Sequence, residues 1–167
     1  VIPRIGAEGR PLYRRRLRFG EARARLDRFY HPYHAALCAE ISDLKSRFGH
    51  VVLADMHSMP ASSARGADIV LGDRFGTSCD GALTNLAEAV FRDLGLVTVR
   101  NNPYAGGYTT EHYGRPHDGV HVIQVEINRG LYLDENRVRL TTDHTSLIEK
   151  LRFFVKALAR ADWRTAV

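Results

Sequence analysis

Between Glu21 and Phe48 the residues Tyr30, His34, Leu37, Ile41, Leu44 and Phe48 recur at spacings of three and four. That period predicts a helix with one buried stripe, ended by Gly49. Pro32 lacks an amide hydrogen and its ring crowds the preceding turn, so a break is expected near Tyr30 to Pro32. Val51 to Asp55 is an apolar run without alternation, the pattern of a short strand covered on both faces, and Asp68 to Gly72 repeats it in a shorter form. Asp80 is placed to cap a second helix with Leu83, Leu86, Ala87, Val90 and Leu94 on one face and Gly95 after its end. Leu96 to Arg100 predicts a strand, His121 to Ile127 a further strand of mixed burial. Asp143 to Asp162 predicts a final helix, with Leu147, Leu151, Phe154 and Leu158 on one face. The polar, glycine-rich stretch from Asn101 to Gly119 is expected to be a long loop with at most a short extended piece at Tyr108 to His112. Long loops inside compact domains usually carry function.

Helices alternating with short apolar strands predict an α/β sandwich with a mostly parallel sheet. In such sheets ligands bind beyond the carboxyl ends of the strands, so the polar residues there are the ones to examine. The length of 167 residues, with 44% hydrophobic and 26% charged content, fits one globular domain over residues 1–167. No run of about 18 apolar residues exists, and the arginine-rich start lacks the apolar segment of a secretory signal. Cys38 and Cys79 form no CxxC pair, which argues against a disulfide scaffold. A cytoplasmic protein with no membrane partner is expected. The net charge is +5, but residues 1–28 hold nine arginines against Glu8, Glu21 and Asp27, a local sum of nine minus three, leaving −1 for the rest. A basic arm can bind phosphates. It has few interleaved aromatics and matches no nucleic-acid module, so a solvated or internally paired face is expected and no nucleic-acid partner. The chain begins with Val1, and its only methionines are Met56 and Met59.

Asp55-Met56-His57-Ser58 follows the predicted strand Val51 to Ala54 and puts an acid and an imidazole two positions apart. Asp-x-His suits a metal site, because a ligating imidazole usually gives its second ring N–H to a carboxylate or carbonyl. The same residues also read as a capping aspartate beside a surface histidine. Gln124-Val125-Glu126-Ile127-Asn128-Arg129 brings Glu126 to the end of another apolar strand. A buried carboxylate is expensive without a role or partner. Glu126 reads either as a general base beside a metal-bound water or as one half of an ion pair with Arg129. Arg74, within Gly72-Asp73-Arg74-Phe75-Gly76-Thr77-Ser78-Cys79, could clamp a substrate carboxylate through its planar fork or pin its own loop. His31 and His34 are three apart on a helix, where packing is the commoner reading than metal ligation. There is no HExxH, and a catalytic zinc normally takes three protein ligands. One persuasive ligand, His57, is present.

Taken together, Asp55-Met56-His57-Ser58-Met59-Pro60, Val70-Leu71-Gly72-Asp73-Arg74-Phe75-Gly76-Thr77-Ser78-Cys79, Asn102-Pro103-Tyr104 with Gly106-Gly107-Tyr108, His112-Tyr113-Gly114-Arg115-Pro116, and Glu126-Ile127-Asn128-Arg129 resemble the N-formylglutamate amidohydrolase family. The resemblance runs from roughly Ile2 to Lys156. It implies a mixed, mostly parallel sheet flanked by helices, like that of zinc carboxypeptidases and aspartoacylase. It implies Zn2+-dependent hydrolysis of N-formyl-L-glutamate, a small N-acyl amino acid, to formate and L-glutamate in histidine degradation. In the family's pattern His57 matches a zinc ligand with Asp55 behind it, and Glu126 matches the carboxylate that activates the zinc-bound water and protonates the leaving amine. Arg74, Tyr108 and His112 would line the substrate pocket. Met56, where a cysteine is expected in many relatives, should point away from the metal.

The family's upstream half carries a Pro-His-Ser-Gly-like segment and an acidic residue resembling two further zinc ligands, then an Asp-Leu-Asn-Arg-like segment. These would precede Val1, so the chain resembles the carboxyl-terminal portion of the family's domain, incomplete at its amino terminus. A fragment of that kind is expected to bind zinc weakly, to be weak or inactive alone, and to self-associate through an unpaired sheet edge. A deacylase for another N-acyl amino acid, or a non-catalytic module whose arginine-rich start binds an acidic partner, are the alternatives.

Overall fold

A computed structural model describes residues 3–6 and 9–161 of the chain. The chain divides into two compact units, Val1–Asp43 and Leu44–Val167. The first contains helix α1 (Phe19–Arg25), a π-helical turn over Leu26–Tyr30 and the start of helix α2 (His31–Phe48). The expected break near Pro32 is thus a change of helical pitch rather than an end. A π turn closes wider rings than an α turn and absorbs the donor that proline lacks. The apolar stripe of α2 is not buried as expected: Tyr30, His34, Leu37, Ile41 and Leu44 are half-covered, and Phe48 is 56% exposed. One large apolar residue per turn, flanked by Glu40, Asp43, Lys45 and Arg47, is too narrow a stripe to exclude water. Part of the basic arm is paired internally. Arg15 forks onto Glu21 at 2.8 and 2.6 Å, and Arg25 donates to the Tyr13 hydroxyl at 2.6 Å. The Arg15 guanidinium and the Arg18 amide hold the Glu21 carboxyl down to about 2.

The second unit is built on a four-stranded sheet. In chain order its elements are β1 (Val51–Met59), β2 (Ile69–Gly72), α3 (Gly81–Asp93), β3 (Thr98–Arg100), α4 (Tyr108–Tyr113), β4 (Val120–Asn128), a small hairpin of β5 (Leu133–Asp134) with β6 (Arg139–Leu140), and α5 (His144–Arg160). The spatial order is β1-β4-β2-β3, with β1 parallel to β4, β2 parallel to β3, and β2 antiparallel to β4. The sheet is therefore mixed and mostly parallel, with helices against it.

Three expectations are corrected. β1 runs to Met59 rather than Asp55, because β4 continues beside it and supplies backbone partners as far as Asn128. β4 is buried from Val120 through Ile127 rather than mixed, since it lies inside the sheet between β1 and β2. The piece at Tyr108 to His112 is helical, not extended: Gly107 precedes it as the cap residue, and Thr110 and Tyr113, three apart, are its buried residues. The predicted end of the last helix, Asp162, lies outside the described residues.

The two faces of the sheet differ. Ile69, Leu71, Ile123, Val125 and Ile127 share one face and form the main core with Leu83, Ala87, Val90 and Phe91 of α3 and Leu147 and Phe154 of α5. Phe91 and Phe154 stack with ring centroids 4.4 Å apart and are both fully buried. Truncating either to alanine should cost about 3–5 kcal/mol. The helix α3 forms where it does because Asp80 accepts from the Ala82 amide at 2.7 Å, and Gly95, at φ 77°, takes the left-handed turn that closes the far end. The opposite sheet face carries a smaller apolar cluster of Met59, Ala64, Ala67 and Val70, with Val99 and Tyr104 against it. Beside that cluster the face turns polar.

Candidate active site

Strand alternation sends residues 55, 57 and 59 of β1 to one face, and the parallel register places Asp55 beside Gln124 and His57 beside Glu126. Four polar side chains from two neighbouring strands therefore emerge side by side, away from α3 and α5. The backbone of adjacent strands lies about 4.8 Å apart, so His57 and Glu126 are neighbours on that face. Met56 alternates to the other face.

His57 Nε2 is 3.1 Å from Asp55 Oδ2, which orients the imidazole. The His57 side chain is 48% exposed and that of Asp55 16%. Glu126 is only 7% exposed. Burial pushes its carboxyl above the ordinary value, while the neighbouring His57 and Arg129 charges and a hydrogen bond from Gln124 pull the other way. The Arg129 guanidinium donates to Ser58 Oγ and to the Ser58 carbonyl, both at 3.2 Å, and lies 3.8 Å from Glu135. Arg129 thus serves to hold the end of β1.

The glycine-rich loops close against this face. Gly72 is obligatory for their approach: a Cβ there would sit 2.6 Å from the Gly106 nitrogen and 2.8 Å from the Ala105 carbonyl carbon. Arg74 and Phe75 both take left-handed backbone angles, φ 51° and 56°, a strained pair for residues other than glycine. The buried Asp73 carboxylate over-determines that turn by accepting from Asn101 Nδ2 (2.8 Å), Thr84 Oγ1 (2.8 Å) and the Gly76 amide (3.0 Å). Burial alone would raise the Asp73 carboxyl, but these donors hold it below its usual range. Arg74 leaves this turn to meet the Gly106 carbonyl and Glu111 of α4, each at 3.4 Å. On α4 the Tyr108 and His112 rings stack with centroids 4.9 Å apart. The Gly107 amide, at the start of α4, donates to Gln124 Oε1 at 2.7 Å, and Gln124 Nε2 donates to Glu126 Oε1 at 2.9 Å.

Gln124, Asn101 and Asp73 also belong to this face and its loops, though no motif role marks them in the sequence. Gln124 had a signal, since it stands two residues before Glu126 in a strand and so shares its face. Asp73 and Asn101 are 28 residues apart and nothing in their spacing announces the pair. The His31 and His34 rings pack edgewise or tilted against Tyr30, at 5.3 and 4.2 Å.

A catalytic zinc needs about three protein ligands. Among the described residues no group of three His, Cys, Asp or Glu side chains is arranged to hold a metal ion. His57 and Asp55 supply one oriented imidazole, which by itself does not make a zinc site. The chemistry legible from the described residues is acid–base: a buried carboxylate beside an imidazole, next to a loop bearing a guanidinium. No helix among the described residues is long and apolar enough to cross a membrane.

A family profile described as N-formylglutamate amidohydrolase matches residues 1–133. The N-formylglutamate deformylase of Pseudomonas aeruginosa is 38% identical over 136 residues, covering 77% of this chain and 51% of that enzyme. The N-formylglutamate deformylase of Pseudomonas putida is 34% identical over 143 residues, covering 81% and 54%. The crystal structure of N-formylglutamate amidohydrolase from Ralstonia eutropha aligns with a TM-score of 0.82 at 34% identity, over 89% of this chain and 57% of that one. A gene product of Agrobacterium tumefaciens shares the fold with a TM-score of 0.62 at 23% identity, over 86% of this chain and 54% of that one. The chain spans about half the length of the curated relatives it matches.

Proposed function

Because the chain belongs to the N-formylglutamate amidohydrolase family, we propose that it acts in the hydrolysis of N-formyl-L-glutamate to formate and L-glutamate, with Glu126 as the acid–base residue. The observation that carries this reading is the register pairing of His57 with Glu126 on the sheet face against which the glycine-rich loops close. Hydrolysis of a formyl amide breaks one C–N bond and adds one water. The Glu126 carboxylate takes a proton from the attacking water as the C–O bond forms, then delivers it to the departing amide nitrogen. Burial favours the protonated form of Glu126, which makes the first step, uptake of the water's proton, easier. Arg74 is suited to hold a substrate carboxylate in place of the Glu111 carboxylate it now meets at 3.4 Å, with Tyr108 and His112 beside it.

Zn2+ belongs to this reading through the family, and His57 would be one of its ligands. The described residues do not complete a zinc site, and this chain alone is expected to be weak or inactive. Histidine degradation, in which N-formyl-L-glutamate is an intermediate, and a cytoplasmic setting belong to the same proposal. The test is formate release from N-formyl-L-glutamate by the purified chain, compared with its Glu126→Gln variant and repeated after chelation. Release that disappears with Glu126→Gln supports the assignment. Release that is the same in both proteins overturns it, as does release absent both from this chain and from a longer chain that carries the family's upstream segment.

A further inference from the structure

We infer that Gln124 is a positioning residue that locks the Glu126 carboxylate to the loop carrying Gly106 and Gly107. Gln124 stands two residues before Glu126 in β4, on the same sheet face, and is 4% exposed. Both ends of its amide are committed. A backbone N–H can only donate, so the Gly107 amide at 2.7 Å obliges Oε1 to face the loop and turns the NH2 group toward Glu126 Oε1 at 2.9 Å. Substitution by any residue lacking either end breaks one of the two bonds.

The arrangement has a consequence for orientation. With Oε1 of Glu126 held by Gln124, the carboxylate cannot rotate freely, and its second oxygen is the one left for a proton in transit. The loop end of the same bridge is equally constrained. Gly106 lies directly against Gly72 and its carbonyl meets Arg74, so the Gly107 to Gln124 bond ties the candidate substrate-holding loop to the candidate base through one side chain. A movement of the loop on substrate binding is therefore felt at Glu126. Small misplacements of a catalytic group cost rate steeply, on the order of a hundredfold for about 1 Å.

The role of Gln124 in turnover rests on the assignment of Glu126 above, but the bridge itself is testable without turnover. In the wild-type chain, NMR hydrogen exchange should show protected Gly107 amide and Gln124 side-chain NH2 protons. Glu126→Leu should release the Gln124 NH2 protons while leaving the Gly107 amide protected. Gln124→Glu keeps an acceptor for Gly107 and replaces the amide donor with a carboxyl that shares a proton with Glu126 or repels it, so kcat should fall about ten- to a hundredfold with KM changed less than about threefold. Gln124→Met, of similar volume, loses both bonds, so Gly107 exchange should accelerate and KM should rise as well. Unprotected Gln124 or Gly107 protons in the wild-type chain overturn the inference whatever the turnover, as does a Gln124→Glu variant with kcat within about twofold of wild type. If the chain releases no formate, the exchange experiments still decide the bridge.

Discussion

His57 and Glu126 are direct neighbours in a parallel strand pair although 69 residues separate them, and both side chains leave the sheet on the face opposite the α3–α5 core. The imidazole is half-exposed and backed by Asp55; the carboxylate is buried and backed by Gln124. Each of the two side chains thus has its own orienting partner from the same strand, two residues upstream.

Replacing Glu126 by glutamine keeps the shape and removes the proposed proton carrier. Glu126→Gln should lower formate release by about a hundredfold or more, with little change in urea stability. Formate assay and urea titration on the same preparation check both halves.

Gly72→Ala should be among the most damaging single-methyl additions in the second unit, because the new Cβ meets the backbone of Ala105 and Gly106 and not a movable side chain. Overpacking of this kind costs about 1–3 kcal/mol. A shift of the urea midpoint, with faster exchange of the Gly107 amide, is the expected result.

His121 is wholly buried; its Nδ1 accepts from the Asp80 amide at 3.1 Å, and among the described residues its Nε2 has no hydrogen-bond partner. Burial lowers its pKa below the ordinary 6.5; the nearby Asp80 charge opposes this and His50 adds to it. The folded state therefore prefers neutral His121, so its contribution to stability is whole above about pH 6.5 and is lost as the pH falls below it. Thermal unfolding should show Tm dropping between about pH 7 and pH 5, with a weaker slope in His121→Leu. An equal slope in the variant would assign the dependence to another group.

Among the described residues β1 is paired on one side only, and Met56 is 43% exposed beside the half-covered Ala54 and Ser58. A nine-residue open edge is a template for another chain. Concentration-dependent association is expected in sedimentation velocity, and Met56→Lys, which places a charge on that edge, should reduce it.

The Cys79 thiol is buried against Thr84, and burial, with the charges of Asp73 and Asp80, pushes it up to about 11. Cys38 is exposed. A thiol reagent at neutral pH should therefore label Cys38 quickly and Cys79 only after unfolding; rapid labelling of Cys79 in the native chain would contradict its burial.

Much of this was legible in the amino-acid order. The apolar faces of α3 and α5 repeat with helical period, Asp80 and Gly95 mark the limits of α3, and the apolar runs around Leu53, Val70, Val99 and Val125 read as strands because each property is local to a few consecutive residues. Asp55 with His57, and Glu126 near the end of its strand, stood out for the same reason, and the ordered motifs around them resembled the family that the comparisons bear out. Only the tertiary structure decided that β4 lies between β1 and β2, that it runs parallel to one and antiparallel to the other, and that the register sets His57 beside Glu126. It likewise decided the helical form of α4, the Asp73 to Asn101 pair and the bridge through Gln124. A hydrophobic pattern says that a strand needs covering, but is the same whichever strand stands beside it. Neighbour and register are set by backbone hydrogen bonds and packing between segments tens of residues apart.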